Sequence, residues 1–140
     1  MDTRNLILNF IKKNTLAVIS TVSIENKPES AVLEFGETEK LELVFDAFSN
    51  SRKYENLQQN KYVSFVIGWD ENITIQYEGT AEQLTAENQQ LYKKAYFLKN
   101  PEAKRWENRE GIVYFKVTPS WIRYSDLNKK PWEIIELSQF

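Results

Sequence analysis

Residues 16–48 read LAVISTVSIENKPESAVLEFGETEKLELVFDAF. Apolar and β-branched residues crowd into Leu16 to Ser23, Ser30 to Phe35 and Leu41 to Asp46, the composition that suits a pleated, half-buried surface. The intervening segments, Glu25-Asn26-Lys27-Pro28 and Gly36 to Lys40, are polar and rich in turn formers. Three strands joined by such short turns predict an antiparallel meander.

On the N-terminal side, Leu6, Ile7, Phe10 and Ile11 fall on one face of a helix predicted over 3–13, with Lys12 and Lys13 at the end its dipole favours. On the C-terminal side, capping residues around Ser51 open a short polar helix to about Gln59. Lys61 to Ile67 is nearly apolar throughout and reads as a central strand. Ile73, Ile75 and Tyr77 alternate with polar residues, a strand with one face in the core. Gly79 inside that pattern marks a bulge or barrel corner. Thr85 is expected to cap a helix running to Leu98, and Pro101 to open a second short one. A sixth strand is expected over Ile112 to Val117, interrupted at Pro119 before Trp121 to Tyr124. The tail from Asn128 is polar first, then carries Ile134, Ile135 and Leu137. Six strands with few helices predict one domain over residues 1–140: mainly β, a small closed barrel of six antiparallel strands with peripheral helices at its rim.

The chain is long enough to bury a sizeable core, and 41% hydrophobic and 14% aromatic residues exclude a disordered chain. With 18 basic and 20 acidic residues, a net charge of −2 argues against nucleic acid or an anionic membrane as partner. The chain holds no cysteine and no histidine. Thiolate nucleophiles, Cys–zinc sites, imidazole bases and the commonest metal ligand are therefore excluded. A haem would have to be ligated by a tyrosine or Met1. Chemistry must come from carboxylates, Lys, Arg, Tyr, Ser, Thr or a cofactor that brings its own reactivity. The longest apolar runs fall far short of the ~20 residues that span a bilayer. A cytoplasmic protein is the expectation.

Ser51-Arg52-Lys53 is the strongest local candidate for binding. A helix start offers free N–H groups and a partial positive charge, and two cations follow at once, an arrangement suited to phosphate. A solvated helix start with two surface cations is the plain alternative. The acidic pairs Glu37/Glu39 and Asp70/Glu71 sit in turns, where polar residues belong without being ligands. Trp69, Trp106, Trp121, Trp132, Tyr124 and Phe48 are flat enough to stack on a ligand, or they pack in the core or at an interface.

The ordered set of motifs resembles the pyridoxamine 5′-phosphate oxidase-like family, the flavin-binding split barrels. It runs through residues 16–22 (LAVISTV), 27–33 (KPESAVL), 43–46 (LVFD), 49–53 (SNSRK), 63–65 with Trp69, 79–82 (GTAE) and 115–119 (FKVTP). The short length is similar to the general-stress-protein branch. The resemblance implies that this barrel is a six-stranded antiparallel split β-barrel, and that the protein is a homodimer with FMN held between subunits and a small-molecule substrate. Ala31, Val32, Leu33 and Glu34 of the second strand would run beside the isoalloxazine, and Asp46 and Ala47 would line the ribityl side. Ser51, Arg52 and Lys53 would hold the flavin phosphate. Thr74 would reach the flavin from the fifth strand, and Trp121 or Tyr124 from the partner chain. The implied activity is that of a flavin-dependent oxidoreductase; a non-catalytic flavin or flat-anion binder, a deazaflavin binder and a ligand-free interaction dimer are the alternatives.

Three departures narrow that implication. The family's oxidases place an arginine where this chain has Ala31. They also carry a C-terminal Arg-Leu-His-x-Arg stretch, where this chain has Ser125-Asp126-Leu127-Asn128-Lys129-Lys130. Both speak against oxidation of pyridoxamine phosphate. Asp46 replaces the usual aromatic or threonine and sets an acid beside the expected anion.

Overall fold

The computed structural model describes residues 2–140; Met1, a ligand in the haem alternative, lies outside the described residues. Helix α1 (Thr3–Lys13) starts at Asp2, whose carboxylate accepts the Asn5 N–H at 2.8 Å. It buries Ile7, Leu8, Phe10 and Ile11, the face the apolar spacing predicts. Strands β1 (Leu16–Val22) and β2 (Pro28–Glu34) form an antiparallel hairpin in which Val18 opposes Val32. Asn26 takes φ 64° in the connecting turn, a conformation asparagine tolerates.

The meander ends there. The chain forms a two-residue strand, β3 (Gly36–Glu37), where only a turn is expected, then β4 (Leu43–Phe48). β4 pairs with β3 on one side and with β7 (Ile112–Asp126) on the other, not with β2. After helix α2 (Arg52–Gln59) come β5 (Tyr62–Ile67) and β6 (Ile73–Gln83), then helix α3 (Gln89–Lys99), a 3-10 helix (Pro101–Trp106), β7 (Ile112–Asp126) and β8 (Glu133–Leu137). The sheet order is β2-β1-β5-β6-β7-β4-β3, with β8 paired to β7. All pairings are antiparallel. β5 lies between β1 and β6, the central place its apolar sequence implies.

Among the described residues, eight strands replace the expected six. Pro119 does not break the sixth: β7 runs through it for 15 residues, because the register shifts at Glu78/Gly79, so that Gly79 opposes Pro119 and Glu78 opposes Trp121. The bulge accommodates the missing proline N–H. Gly79 is required at this crossing, since a Cβ there would lie 2.4 Å from the Thr118 carbonyl oxygen. The tail forms β8 along the second half of β7, while β4 occupies the first half. Helix α3 begins four residues after Thr85, because the Asn88 side chain turns back and its Oδ1 accepts the Thr85 N–H at 2.8 Å.

Strand alternation sorts the core into two parts. Leu43, Phe45 and Ala47 of β4 point into the barrel with Phe65, Tyr77 and Phe115, where the Phe45 and Phe115 rings stack at 5.3 Å. Val44 points the other way and packs with Tyr114 of β7 against Tyr92 and Tyr96 of α3 and Ala103. Asp46, two residues after Val44, shares that outer face. α3 therefore serves as a wall over the end of β4. No helix among the described residues is long and apolar enough to cross a membrane.

Candidate functional site

The barrel is split between β2, which pairs only with β1, and β4, which belongs to the other side of the sheet. β2 thus presents one unpaired backbone edge to the gap. α2 plugs the gap from one end, because the residues after β4 turn sharply into it. The Ser51 hydroxyl donates to the Phe48 carbonyl at 2.7 Å and accepts the Tyr54 N–H at 3.3 Å. Ser51 is the N-cap, so the first helical N–H groups, on Arg52 and Lys53, have no acceptor within the helix. They open toward the gap together with the two cationic side chains.

Two adjoining clefts result. The first, about 200 Å³, lies between β2 and the start of α2 and is lined by Glu29, Ser30, Ala31, Ser51, Arg52 and Lys53. The second, about 350 Å³, continues past Lys53 between the end of β2 and the end of β4. Val32, Leu33, Glu34, Asp46, Ala47 and Lys53 line it, with Tyr96 and Trp106 as its far wall. Ser51 and Lys53 border both clefts. Nine of the residues singled out in the sequence, Ala31 to Glu34, Asp46, Ala47 and Ser51 to Lys53, thus converge from three separate segments.

Thr74, Trp121 and Tyr124 do not join them. Thr74 opposes Ser125 at the start of β6, and Trp121 lies on β7 with the Arg123 guanidinium 5.5 Å from its ring. Tyr124 is buried edge-on against Phe10 at 5.8 Å. None of the three borders either cleft of its own chain. Glu37 and Glu39 are drawn into ion pairs with Lys99 and Lys12.

The clefts carry opposite charge at their two ends. Arg52 and Lys53 supply cations at the first; Asp46 and Glu34 supply acids at the second. Burial pushes the Asp46 carboxyl above its ordinary pKa of 3.8, against a hydrogen bond from Tyr96 that favours the ionised form; nearby Glu34 raises it further and Lys53 lowers it. The Tyr96 hydroxyl is held well above its ordinary value by burial and by the charge of Asp46. Tyr114, opposite Asp46 in the β4–β7 ladder, is pushed up to about 12 by burial and the same carboxylate.

Sequence reasoning missed several residues that build this site. Tyr96 and Ala103 reach the second cleft through the packing of α3 and the 3-10 helix on β4, which no local pattern announces. Trp106, one of several aromatics with no assigned place, stands at the wall with Phe48 edge-on at 6.1 Å and two arginines, Arg105 and Arg109, about its ring at 5.0 and 4.7 Å. Glu29, Asn56 and Thr21 form a polar chain beneath Arg52: the Asn56 amide donates to Thr21 Oγ1 and to Glu29 Oε1, both at 2.9 Å.

An open antiparallel sheet curled around one core, split between β2 and β4 and closed by helices, is a split β-barrel. The chain belongs to the pyridoxamine 5′-phosphate oxidase family, whose model matches residues 5–126. A curated relative, the pyridoxine/pyridoxamine 5′-phosphate oxidase of Ehrlichia ruminantium (strain Welgevonden), is 29% identical over 90 residues, 64% of this chain and 46% of that protein. The chain therefore spans about half the length of the oxidase it matches. The General Stress Protein 26 of Bacillus anthracis str. Sterne is 26% identical and superposes with a TM-score of 0.76, over 98% of this chain and 100% of that one. A heme binding protein from Mycobacterium smegmatis superposes at a TM-score of 0.84 with 12% identity, over 99% of this chain and 59% of that one. A pyridoxamine 5′-phosphate oxidase-related, FMN binding protein from Nostoc punctiforme PCC 73102 superposes at 0.73 with 13% identity, over 100% of this chain and 98% of that one. At such identities the last two comparisons establish the shared fold.

Proposed function

We propose that this chain binds FMN in the two adjoining clefts and acts, as a homodimer, in flavin-dependent oxidation or reduction of a small molecule. The observation that carries this reading is the convergence of a helix N-terminus bearing Ser51, Arg52 and Lys53 with the unpaired edge of β2 and the end of β4. The donor set fits the cofactor. Free N–H groups, a planar guanidinium and an ammonium suit a phosphate. The N–H and C=O groups along the edge of β2 suit the polar rim of a flat ring, and Val32 and Leu33 give it apolar contact. Asp46 accepts hydrogen bonds from hydroxyl groups. The bound flavin would supply reversible hydride transfer.

This chain's own residues bind and orient. Ser51, by capping α2, fixes the direction in which the helix N–H groups point. Lys53, shared by both clefts, joins the phosphate end to the acidic end. Tyr96 and Trp106 form the far wall of the second cleft, across from Glu34. With Ala31 in place of the oxidases' arginine and no histidine in the chain, we place the substrate outside the pyridoxamine phosphates.

The outer face of β2, β1 and β5 favours the dimer. Val32, Val18 and Val66 oppose one another in register across three strands, and Val32 is 61% exposed. An apolar row this open on the outside of the sheet is the kind of surface a second copy covers. Thr74, Trp121 and the partner's contribution to the clefts would follow from that pairing.

The test is equilibrium titration with FMN and with riboflavin, which lacks the phosphate, followed by absorption and fluorescence. FMN should bind more tightly, and Arg52→Ala with Lys53→Ala should abolish the preference by about tenfold or more, since each charge-assisted contact is worth roughly 1.5 kcal/mol or more. Equal affinity for the two flavins in the unaltered protein would refute the phosphate site.

A further inference from the structure

Arg52 is an awkward residue to bind with. Its side chain is 72% exposed, and a long mobile chain must be ordered each time it grips a ligand. The structure supplies a device that acts on this residue. Glu29 Oε2 lies 3.3 Å from Arg52 Nη1, and Glu29 itself is only 21% exposed. Its other oxygen, Oε1, accepts the Asn56 amide at 2.9 Å. Asn56 is 5% exposed, and its amide also donates to Thr21 Oγ1 at 2.9 Å; Thr21 is 2% exposed and opposes Glu29 in the β1–β2 ladder. A buried two-bond anchor thus fixes a carboxylate that reaches up to an exposed arginine at the rim of the first cleft.

Stability does not explain the ion pair at the end of this chain. An ion pair to a guanidinium this exposed contributes little to folding. For anion binding the carboxylate is adverse by charge alone, since it lines the same cleft as Arg52 and Lys53. What it supplies is direction. Glu29 pairs with the guanidinium through one nitrogen, Nη1, and leaves the others of its planar fork for a ligand in the cleft that both residues line.

We propose that Glu29, held by Asn56 and Thr21, is a positioning residue that pre-orders Arg52 for a phosphate monoester bound at the start of α2. The proposal rests on the phosphate reading of that cleft. It makes a prediction opposite in sign to simple electrostatics. Removing a negative charge beside an anion site should tighten anion binding, whereas releasing Arg52 should weaken it.

The experiment measures FMN and riboflavin dissociation constants for the full chain, for Glu29→Ala and for Glu29→Asp. The aspartate variant keeps the charge and the polar surface but loses the reach. Both variants should bind FMN about three- to tenfold more weakly, the cost of ordering one free long side chain. Riboflavin binding should stay unchanged, so the FMN-to-riboflavin preference falls. An unchanged or stronger FMN preference in Glu29→Ala, or wild-type behaviour of Glu29→Asp, overturns the proposal while leaving the phosphate site intact. Equal loss of both flavins makes Glu29 a support of the fold and also overturns it. Absence of any FMN preference in the unaltered protein removes the phosphate site and this proposal together.

Discussion

Replacing Gly36 with alanine should loosen the wall of the candidate site, although Gly36 itself lines neither cleft. Gly36 begins β3 and lies under α3. A Cβ placed on it would stand 2.7 Å from the Tyr96 Cα and 3.1 Å from both the Ala95 carbonyl oxygen and the Tyr96 nitrogen. Carbon atoms in good contact lie about 3.5–4.0 Å apart, so the helix must retreat by about 1 Å. The offended atoms are backbone and cannot rotate aside. Nor can α3 simply tilt, because the Asn100 amide ties its end to the Phe35 carbonyl at 2.8 Å and to the Tyr96 carbonyl at 3.1 Å. Overpacking of this kind costs about 1–3 kcal/mol. For a domain of this size that is a fall in Tm of roughly 4–12 °C. Because Tyr96 sits at the point of contact and lines the second cleft with Asp46, FMN affinity should fall as well. Differential scanning fluorimetry and the flavin titration read the two effects. A Tm within 2 °C (roughly the resolution at which ~0.5 kcal/mol registers) together with unchanged FMN binding would refute the reasoning that α3 rests on Gly36 and carries Tyr96 to the site.

The remaining predictions concern single polar groups. Asp46 has its carboxyl raised by burial, so the native state binds its proton more tightly than the unfolded chain does. Stability should therefore fall as pH rises from the ordinary carboxylate range through the raised value. Asp46→Asn should stabilise the protein at pH 7, and thermal melts should show the gain disappearing at about pH 3. Two buried tyrosines should respond with opposite signs. Tyr77 donates its hydroxyl to the Leu41 carbonyl at 2.8 Å, and Tyr77→Phe should cost about 1 kcal/mol in urea unfolding. The Tyr114 hydroxyl is buried without a hydrogen-bond partner among the described residues, and Tyr114→Phe should be neutral or raise stability by about 1 kcal/mol. A loss on Tyr114→Phe equal to that on Tyr77→Phe would contradict the difference in their surroundings.

What the sequence determined by itself was local. The 3.6-residue apolar spacing of Leu6 to Ile11 specifies α1 and its buried face, and Ser51 before Arg52 specifies where α2 begins. Alternation along Ile73 to Tyr77 specifies which side of β6 faces the core, and Gly79 marks the bulge. These follow because a residue's own backbone preference, its cap and its periodicity act within a turn or two of the chain. Strand neighbours are decided otherwise. Periodicity tells β4 which face to bury but not beside which strand, so three consecutive strands read as a meander when β4 in fact crosses to β7. The same applies to Pro119, which breaks a strand in isolation and is absorbed by a bulge once Gly79 lies opposite it.

The candidate site divides in the same way. The cationic helix start was legible because one tripeptide carries both the cap and the charges, and the remaining matched positions were legible through the family resemblance. Tyr96 and Trp106 were not, since they reach the cleft only because α3 and the 3-10 helix pack on the outer face of β4. Nor was the chain from Thr21 through Asn56 to Glu29, whose members lie 35 and 27 residues apart. Hydrogen bonds of that separation depend on three elements being folded against one another, and a buried polar group finds its partner only once water has been excluded from around it.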